Sequence, residues 1–166
     1  MNFKRIIRHL LIPLRSVRRV VDGETLRAVE EAIRAGESSH RGEVRVAVEA
    51  ALSPAAVWRG QSARERAVEV FSELRVWDTA ENNGVLIYLL LADRDVEIVA
   101  DRGLLPHVDA DAWSAICRAM EDAFRRGDFR AGLLDGIRAI HAHLARAYPA
   151  RGETPNELPD APTILR

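Results

Sequence analysis

Oxygen-bearing side chains flank two apolar stretches in the middle of the chain, and they could bind a metal ion. They are Asn82, Asn83, Asp101, Asp109 and Asp111. Two asparagines stand immediately before the first apolar stretch, one aspartate follows the second, and the other two come shortly after. Carboxylate and amide oxygens are the usual ligands of hard cations such as Ca²⁺, which takes about six to eight of them. Low-affinity binding of Ca²⁺ or Mg²⁺ is therefore one interpretation of these residues.

The two apolar stretches explain how these residues could meet. Residues 84–92 form a continuous apolar run, which favours a central strand buried on both faces. Residues 93–95 form a short polar turn, and residues 96–100 alternate like the returning strand of a hairpin. In a hairpin, the residues before the first strand and after the second lie at the same end. We call the end that carries the five residues the rim.

A structural interpretation of the rim stays open beside the metal site. Asn and Asp side chains commonly cap turns and helices, and Asp109 stands where the next helix begins. Arg102 could also pair with Asp101 or Asp109, which would leave less room for a cation. The sequence alone does not separate capping from cation binding.

The remaining pattern predicts one α/β domain with a mixed sheet. Asp22 is a plausible N-cap for a helix that ends at Gly36, and residues 42–52 alternate like a half-buried strand. A helix follows from about Ser62, two more helices come after the hairpin, and an irregular tail covers residues 149–166. Helices on both sides of an apolar central strand predict a sheet that is covered on both faces.

The first 21 residues have a different character from the rest of the chain. Before Asp22 there is no acidic residue, while six lysines and arginines occur among apolar residues at roughly helical spacing. The six are Lys4, Arg5, Arg8, Arg15, Arg18 and Arg19. One interpretation is a basic amphipathic segment that binds an anionic membrane surface or a membrane-bound partner. The other is a helix packed on the domain with solvated arginines, and Pro13 favours it by interrupting the pattern.

Composition excludes several classes of protein. The net charge of −1 gives no bulk attraction to nucleic acid, and Cys117 is the single cysteine, so neither an internal disulfide nor a cysteine-based metal site is possible. We found neither a signal peptide nor a transmembrane helix, so the expected location is cytoplasmic, peripheral at the inner membrane if the basic segment binds there. The oligomeric state is left open.

The stretch "NNGVLIYLLLADRDVEIVADRGL", together with "GDFRAGLLDGI" near the end, resembles the TPM domain family over roughly residues 22–148. The resemblance implies a three-layer α/β/α sandwich with an acidic depression at one sheet end. It also implies calcium binding, known for some members, and acid phosphatase activity, attributed to some plant members. The usual Asp-Asn-Gly of the family is Asn82-Asn83-Gly84 here, and its Gly-Tyr-Gly-Leu is "DRGL". The chain thus lacks one of the family's acids at the rim.

Catalysis finds little support in the residues. There is no P-loop, no Cys-x5-Arg and no His-Glu-x-x-His motif. Asp93 and Asp95 form a pair of acids, but they lie in the hairpin turn, at the opposite end of the strands from the rim. We therefore assign no catalytic residue and expect a non-catalytic binding or regulatory module. The alternative is a metal-dependent acid phosphatase.

Overall fold

The computed structural model describes residues 3–12, 17, 21–152 and 155–165. Its helices are α1 (Phe3–Leu11), α2 (Gly23–Glu37), α3 (Pro54–Trp58), α4 (Ala63–Glu73), α5 (Ala110–Arg125) and α6 (Phe129–Ala147). Its strands are β1 (Glu43–Glu49), β2 (Gly84–Leu90), β3 (Asp95–Ala100) and β4 (Thr163–Leu165), and a 3-10 turn covers Arg102–Leu104. No helix in these ranges is long and apolar enough to cross a membrane.

The four strands form one mixed sheet in the order β3-β2-β1-β4. β2 and β3 are the antiparallel hairpin that the sequence predicts, whereas β1 runs parallel to both β2 and β4. The parallel β1–β2 pair requires a crossover, and α3 and α4 provide it. The predicted mixed sheet is confirmed.

The sheet lies between two helical layers, which confirms the three-layer sandwich. Along β2, Val85, Ile87 and Leu89 face one way and pack in the core formed with α2, α5 and α6. The alternate residues Leu86, Tyr88 and Leu90 face the core formed with α3 and α4. Successive side chains of a strand point to opposite faces, so an uninterrupted apolar run is what a doubly covered strand requires.

Two predictions about the edge of the sheet were wrong, and they have one cause. β1 was expected to be half-buried, yet all seven of its residues are buried. The tail, expected to be irregular, supplies β4 and covers β1. Glu43 of β1 accepts hydrogen bonds from the backbone of Glu157 and Leu158, each at 3.2 Å. Glu43 therefore binds the tail instead of facing water, while Glu49 of β1 is buried against Tyr88 and Arg66.

Arg45 of β1 makes the second set of contacts with the tail. Its guanidinium donates to Thr163 Oγ1 at 2.8 Å and to the carbonyl oxygens of Pro159 and Ala161. Burying a guanidinium is costly unless its donors are paired. These acceptors pair both terminal nitrogens, whereas the buried Nε has no hydrogen-bond partner among the described residues. The tail is thus held to the sheet by its backbone as much as by its side chains.

Candidate cation site at one end of the sheet

The hairpin brings the segments on either side of it together, as the sequence predicts. Val85 pairs with Ala100 in the last register position of the ladder, and the backbone N–H of Asp101 donates to the Gly84 carbonyl at 2.9 Å. One step further, the N–H of Gly103 donates to the carbonyl of Asn82 at 2.9 Å. The asparagines and Asp101 therefore occupy the same end of the sheet.

Asn83 is fully buried at the base of the rim. Its backbone N–H donates to Thr79 Oγ1 at 3.1 Å, and its side-chain Nδ2 donates to the carbonyl oxygen of Arg41 at 2.8 Å. Its Oδ1 is buried and has no hydrogen-bond partner among the described residues. A buried amide oxygen without a partner is uncommon, because its desolvation is left uncompensated.

Asp101 carries a second oxygen of this kind. Its Oδ1 accepts a hydrogen bond from the N–H of Arg102 at 2.7 Å and so begins the 3-10 turn. Its Oδ2 is buried and, within the described part of the chain, unpartnered. The rim thus has one amide oxygen and one carboxylate oxygen with unused hydrogen-bonding capacity.

Arg102 and Asn82 restrict what the rim can hold. Arg102 Nε donates to Asn82 Oδ1 at 3.2 Å, so the guanidinium contacts Asn82 and not the carboxylate of Asp101 or Asp109, as one interpretation suggested. The contact occupies the oxygen of Asn82 and brings a positive charge to the rim. Both effects weaken the attraction for a cation.

Asp109 and Asp111 belong to the start of α5. Asp109 is its N-cap, and its Oδ1 accepts a hydrogen bond from the N–H of Ala112 at 2.7 Å. Asp111 is exposed in the first helical turn, where a negative charge interacts favourably with the helix dipole. Across the described ranges, no three His, Cys, Asp or Glu side chains are arranged to hold a metal. The structural role predicted as an alternative is therefore observed for Asp109.

The backbone is closely packed at the rim. A Cβ on Gly103 would lie 2.5 Å from the carbonyl oxygen of Asn82 and 2.6 Å from that of Glu81, so only glycine fits there. The hydroxyl of Tyr148 donates to the Gly103 carbonyl at 2.6 Å. Arg41 binds Glu81 through two hydrogen bonds of 2.5 and 2.9 Å, and this contact lowers the pKa of Glu81.

A buried histidine pair lies next to the rim, and the sequence analysis missed it. His40 Nε2 and His141 Nδ1 are 2.6 Å apart, and the N–H of Gly42 donates to His40 Nδ1 at 3.1 Å. His40 must then carry its proton on Nε2 and donate to His141 Nδ1. Burial lowers the pKa of each histidine to about 4. The ring of His141 also explains Gly36, where a Cβ would lie 2.2 Å from it.

The opposite end of the hairpin has a single fully paired acid, Asp93. Arg5 Nε and Nη2 donate to its Oδ2 at 2.9 and 2.7 Å, and Arg8 binds its Oδ1. His9 Nε2 lies 3.1 Å from Oδ1, while His9 Nδ1 accepts a hydrogen bond from the N–H of Leu52. Burial tends to raise the pKa of Asp93, but the hydrogen bonds from Arg5 and His9 outweigh it and lower that pKa.

This Asp93 cluster changes the interpretation of the basic segment. Arg5 and Arg8 are two of its six cations, and both are paired with the domain, while Lys4 is exposed. The interpretation as a helix packed on the domain holds for α1, although its arginines are paired and not only solvated. Arg15, Arg18 and Arg19 lie outside the described residues.

An α/β/α sandwich with a mixed sheet and a polar rim beside its hairpin defines a domain of the TPM class. The TPM domain family matches residues 17–143, and the chain belongs to that family. The structure of the BA42 protein from the psychrophilic bacterium Bizionia argentinensis is similar, with 31% identity and a TM-score of 0.77, over 87% of this chain and 95% of that one.

A second structure shares the fold at lower identity. The N-terminal domain of a P. gingivalis protein has 19% identity and a TM-score of 0.64, over 86% of this chain and 95% of that one. None of the curated proteins compared with the chain matches it.

Proposed function

We propose that this protein is a non-catalytic TPM-domain binding module that holds a divalent cation, Ca²⁺ or Mg²⁺, at the rim. One observation carries the proposal: Asn83 Oδ1 and Asp101 Oδ2 are buried at the same sheet end without hydrogen-bond partners. An unsatisfied buried oxygen costs about 1–3 kcal/mol, and a bound cation would offset that cost. Both atoms are of the type that hard cations prefer.

The proposed ligands are unequal. Within the described part of the chain, Asp101 supplies the one carboxylate with a buried oxygen that lacks a hydrogen-bond partner, and Asn83 supplies a neutral amide oxygen. Asn82 could join only if its oxygen left Arg102, and Asp109 only if it gave up its cap. Asp111 is exposed on α5 and contributes charge at most. A site with so few charged ligands binds weakly, so we expect a Kd at the upper end of the protein range, about 0.1–1 mM.

Calorimetric titration with Ca²⁺ and then Mg²⁺ tests the cation proposal. We expect the wild type to bind one ion and Asp101→Asn to bind at least about tenfold more weakly, a difference of about 1.4 kcal/mol. The matched control is Asp122→Asn, which removes the same charge from an exposed side chain of α5 that pairs with Arg125. If Asp122→Asn weakens binding as much as Asp101→Asn, the effect is one of net charge and the rim is not the site.

Asp111→Asn and Asp109→Asn rank the remaining predicted ligands. We expect Asp111→Asn to bind like the wild type, and Asp109→Asn to be affected mainly through the lost cap of α5. If titration of the wild type with either cation gives no heat of binding, the cation site is rejected.

A second proposed activity is association with an anionic membrane surface through the N-terminal segment. It is supported by the surface position of α1, by the exposed Lys4, and by the absence of any acid before Asp22. Each basic residue near an anionic surface can contribute about 1 kcal/mol. Because Arg5 is largely covered by Asp93, the attraction must come from the other cations of the segment.

A further inference from the structure

Helix α1 turns its apolar face outward, while Arg5 and His9 face the domain. Phe3, Ile7, Leu10 and Leu11 are 65%, 41%, 63% and 73% exposed. Their spacing of i, i+4, i+7 and i+8 places them on one side of a helix, in a stripe about 100° wide. We call these four residues the α1 stripe. A surface helix normally turns such a face toward the core.

The Asp93 cluster explains this orientation. Arg5, Arg8 and His9 bind Asp93 on the side of α1 that faces the domain, and Ile6 packs against the core beside α3. His9 is buried and its side chain is tied to Leu52. These contacts fix the rotation of the helix, and the α1 stripe is left on the outside.

The surroundings of the α1 stripe are basic and aromatic. Lys4 borders the stripe, Arg8 keeps half of its side chain exposed, and α1 itself contains no acid. Trp58 and Arg59 are exposed on α3 and its C-cap, and α3 packs against α1. A partner that suits this surface is apolar inside and negatively charged at its boundary.

We propose that α1 lies in the plane of an anionic phospholipid bilayer, with the α1 stripe among the acyl chains and Lys4 and Arg8 at the headgroups. The inference rests on the proposed membrane association and names the residues that enter the lipid. Helices that lie in the interface combine an apolar face with basic residues in this way. A second copy of the chain fits less well, because two stripes packed together would bring like charges together.

Vesicle co-sedimentation with the full chain tests the proposal. Vesicles of phosphatidylcholine with phosphatidylglycerol serve as the anionic surface, and pure phosphatidylcholine vesicles as the neutral one. We expect Ile7→Ser/Leu11→Ser to bind the anionic vesicles at least about tenfold more weakly than the wild type. The matched control is Leu105→Ser, whose side chain is 74% exposed but lies just after the 3-10 turn of the rim end. We expect it to bind like the wild type.

The outcomes separate the stripe from the charges. Equal binding of the stripe variant and the wild type to anionic vesicles would overturn insertion of the α1 stripe, while electrostatic association would still hold. No binding of the wild type to anionic vesicles would reject both. A concentration-dependent dimer that the stripe variant abolishes, without vesicle binding, would assign the stripe to a second copy. If the first variant unfolds, Leu10→Ser/Leu11→Ser repeats the test with Leu10, which is more exposed than Ile7, in place of Ile7.

Discussion

The two ends of the β2–β3 hairpin treat an aspartate in opposite ways. At the turn, Asp93 is bound by Arg5, Arg8 and His9, and its charge is fully compensated. At the rim, Asp101 has one oxygen on the N–H of Arg102 and one buried oxygen with no partner among the described residues. An aspartate thus binds the side chains of α1 at the turn, whereas at the rim an aspartate has an oxygen atom available to a ligand.

The difference separates a structural acid from one available to a ligand. A saturated carboxylate contributes to stability and has nothing left to bind a cation. An unsaturated one costs stability, and that cost is recovered only when something binds. Counting acids in the sequence would rank the Asp93–Asp95 pair above the single Asp101, whereas the hydrogen bonds reverse the order.

The largest effect that we expect from a substitution comes from removing the saturated acid. Asp93→Ala leaves Arg5 and His9 without their partner, and we expect the free energy of unfolding to fall by about 2–3 kcal/mol. Asp101→Ala in cation-free buffer should change it by less than about 1 kcal/mol, because only one hydrogen bond is lost and an unpaired oxygen goes with it. Urea unfolding followed by circular dichroism measures both.

The comparison fails if the two variants lose equal stability. In that case Asp101 Oδ2 is satisfied in solution and the rim has no free carboxylate oxygen. Asp122→Ala, an exposed acid of α5, gives the background cost of such a substitution.

The next effect concerns pH. His40 and His141, beside the rim, are neutral in the folded protein because burial lowers the pKa of each from 6.5 to about 4. The unfolded chain binds more protons between these values, so the stability from the neutral pair is complete above pH 6.5 and is lost as the pH falls toward 4. We expect a loss on the order of 3 kcal/mol for each histidine. The pKa of Asp93 is lowered from 3.8, so the ion pairs of the Asp93 cluster persist until the pH falls below 3.8.

An opposing titration must be removed to see this loss. Burial raises the pKa of Glu37 to about 8, so the folded protein holds a proton there between pH 4.5 and 8, and acidification through that range is stabilising. Glu37→Gln removes this contribution. Urea unfolding of that variant from pH 7 to 4, with imidazole nitrogen shifts followed by NMR, gives the result. Titration of the His40 and His141 rings near pH 6.5 would contradict a buried neutral pair.

The sequence predicted the hairpin and the position of the rim because both depend on local pattern. The apolar run of β2 and the alternation of β3 specify strands, and a short turn between them specifies which residues meet. It could not predict β4, because the contacts of Glu43 and Arg45 of β1 with the tail join residues far apart in the sequence. Those charges suggested a solvent-facing side of β1.

The hydrogen bonds of the rim could not be predicted from the sequence either, because they join residues that are distant along the chain. That Arg102 contacts Asn82, or that His40 meets His141 from 101 positions away, follows from three-dimensional packing and from no spacing in the chain. Arg5 and Arg8 were counted as available cations because Asp93, with which both pair, is distant in the sequence: it lies 88 residues from Arg5. Local periodicity identifies elements, whereas their polar contacts require the fold.

The smallest effect should be on phosphate ester hydrolysis. We expect p-nitrophenyl phosphate to be hydrolysed at the blank rate, with or without Ca²⁺ or Mg²⁺, at neutral and acidic pH. Covalent phosphoryl transfer needs a nucleophile with a base beside it. Burial raises the pKa of the Cys117 thiol to about 12, and Tyr148 donates its hydroxyl proton to Gly103, so neither is an activated nucleophile.

A metal-bound water is the remaining route, and the rim gives it little help. A cation held by Asp101 and Asn83 would have one carboxylate ligand, and Ca²⁺ acidifies a bound water far less than Zn²⁺ does. Arg102 could contact a phosphate there, but at present it donates to Asn82. The deciding comparison is the wild type against Asp101→Asn/Asp109→Asn, assayed with each cation. Metal-dependent turnover in the wild type that disappears in a folded double variant would make the rim an active site and the protein a metal-dependent phosphatase, because the same unpaired oxygen would then hold a catalytic ion.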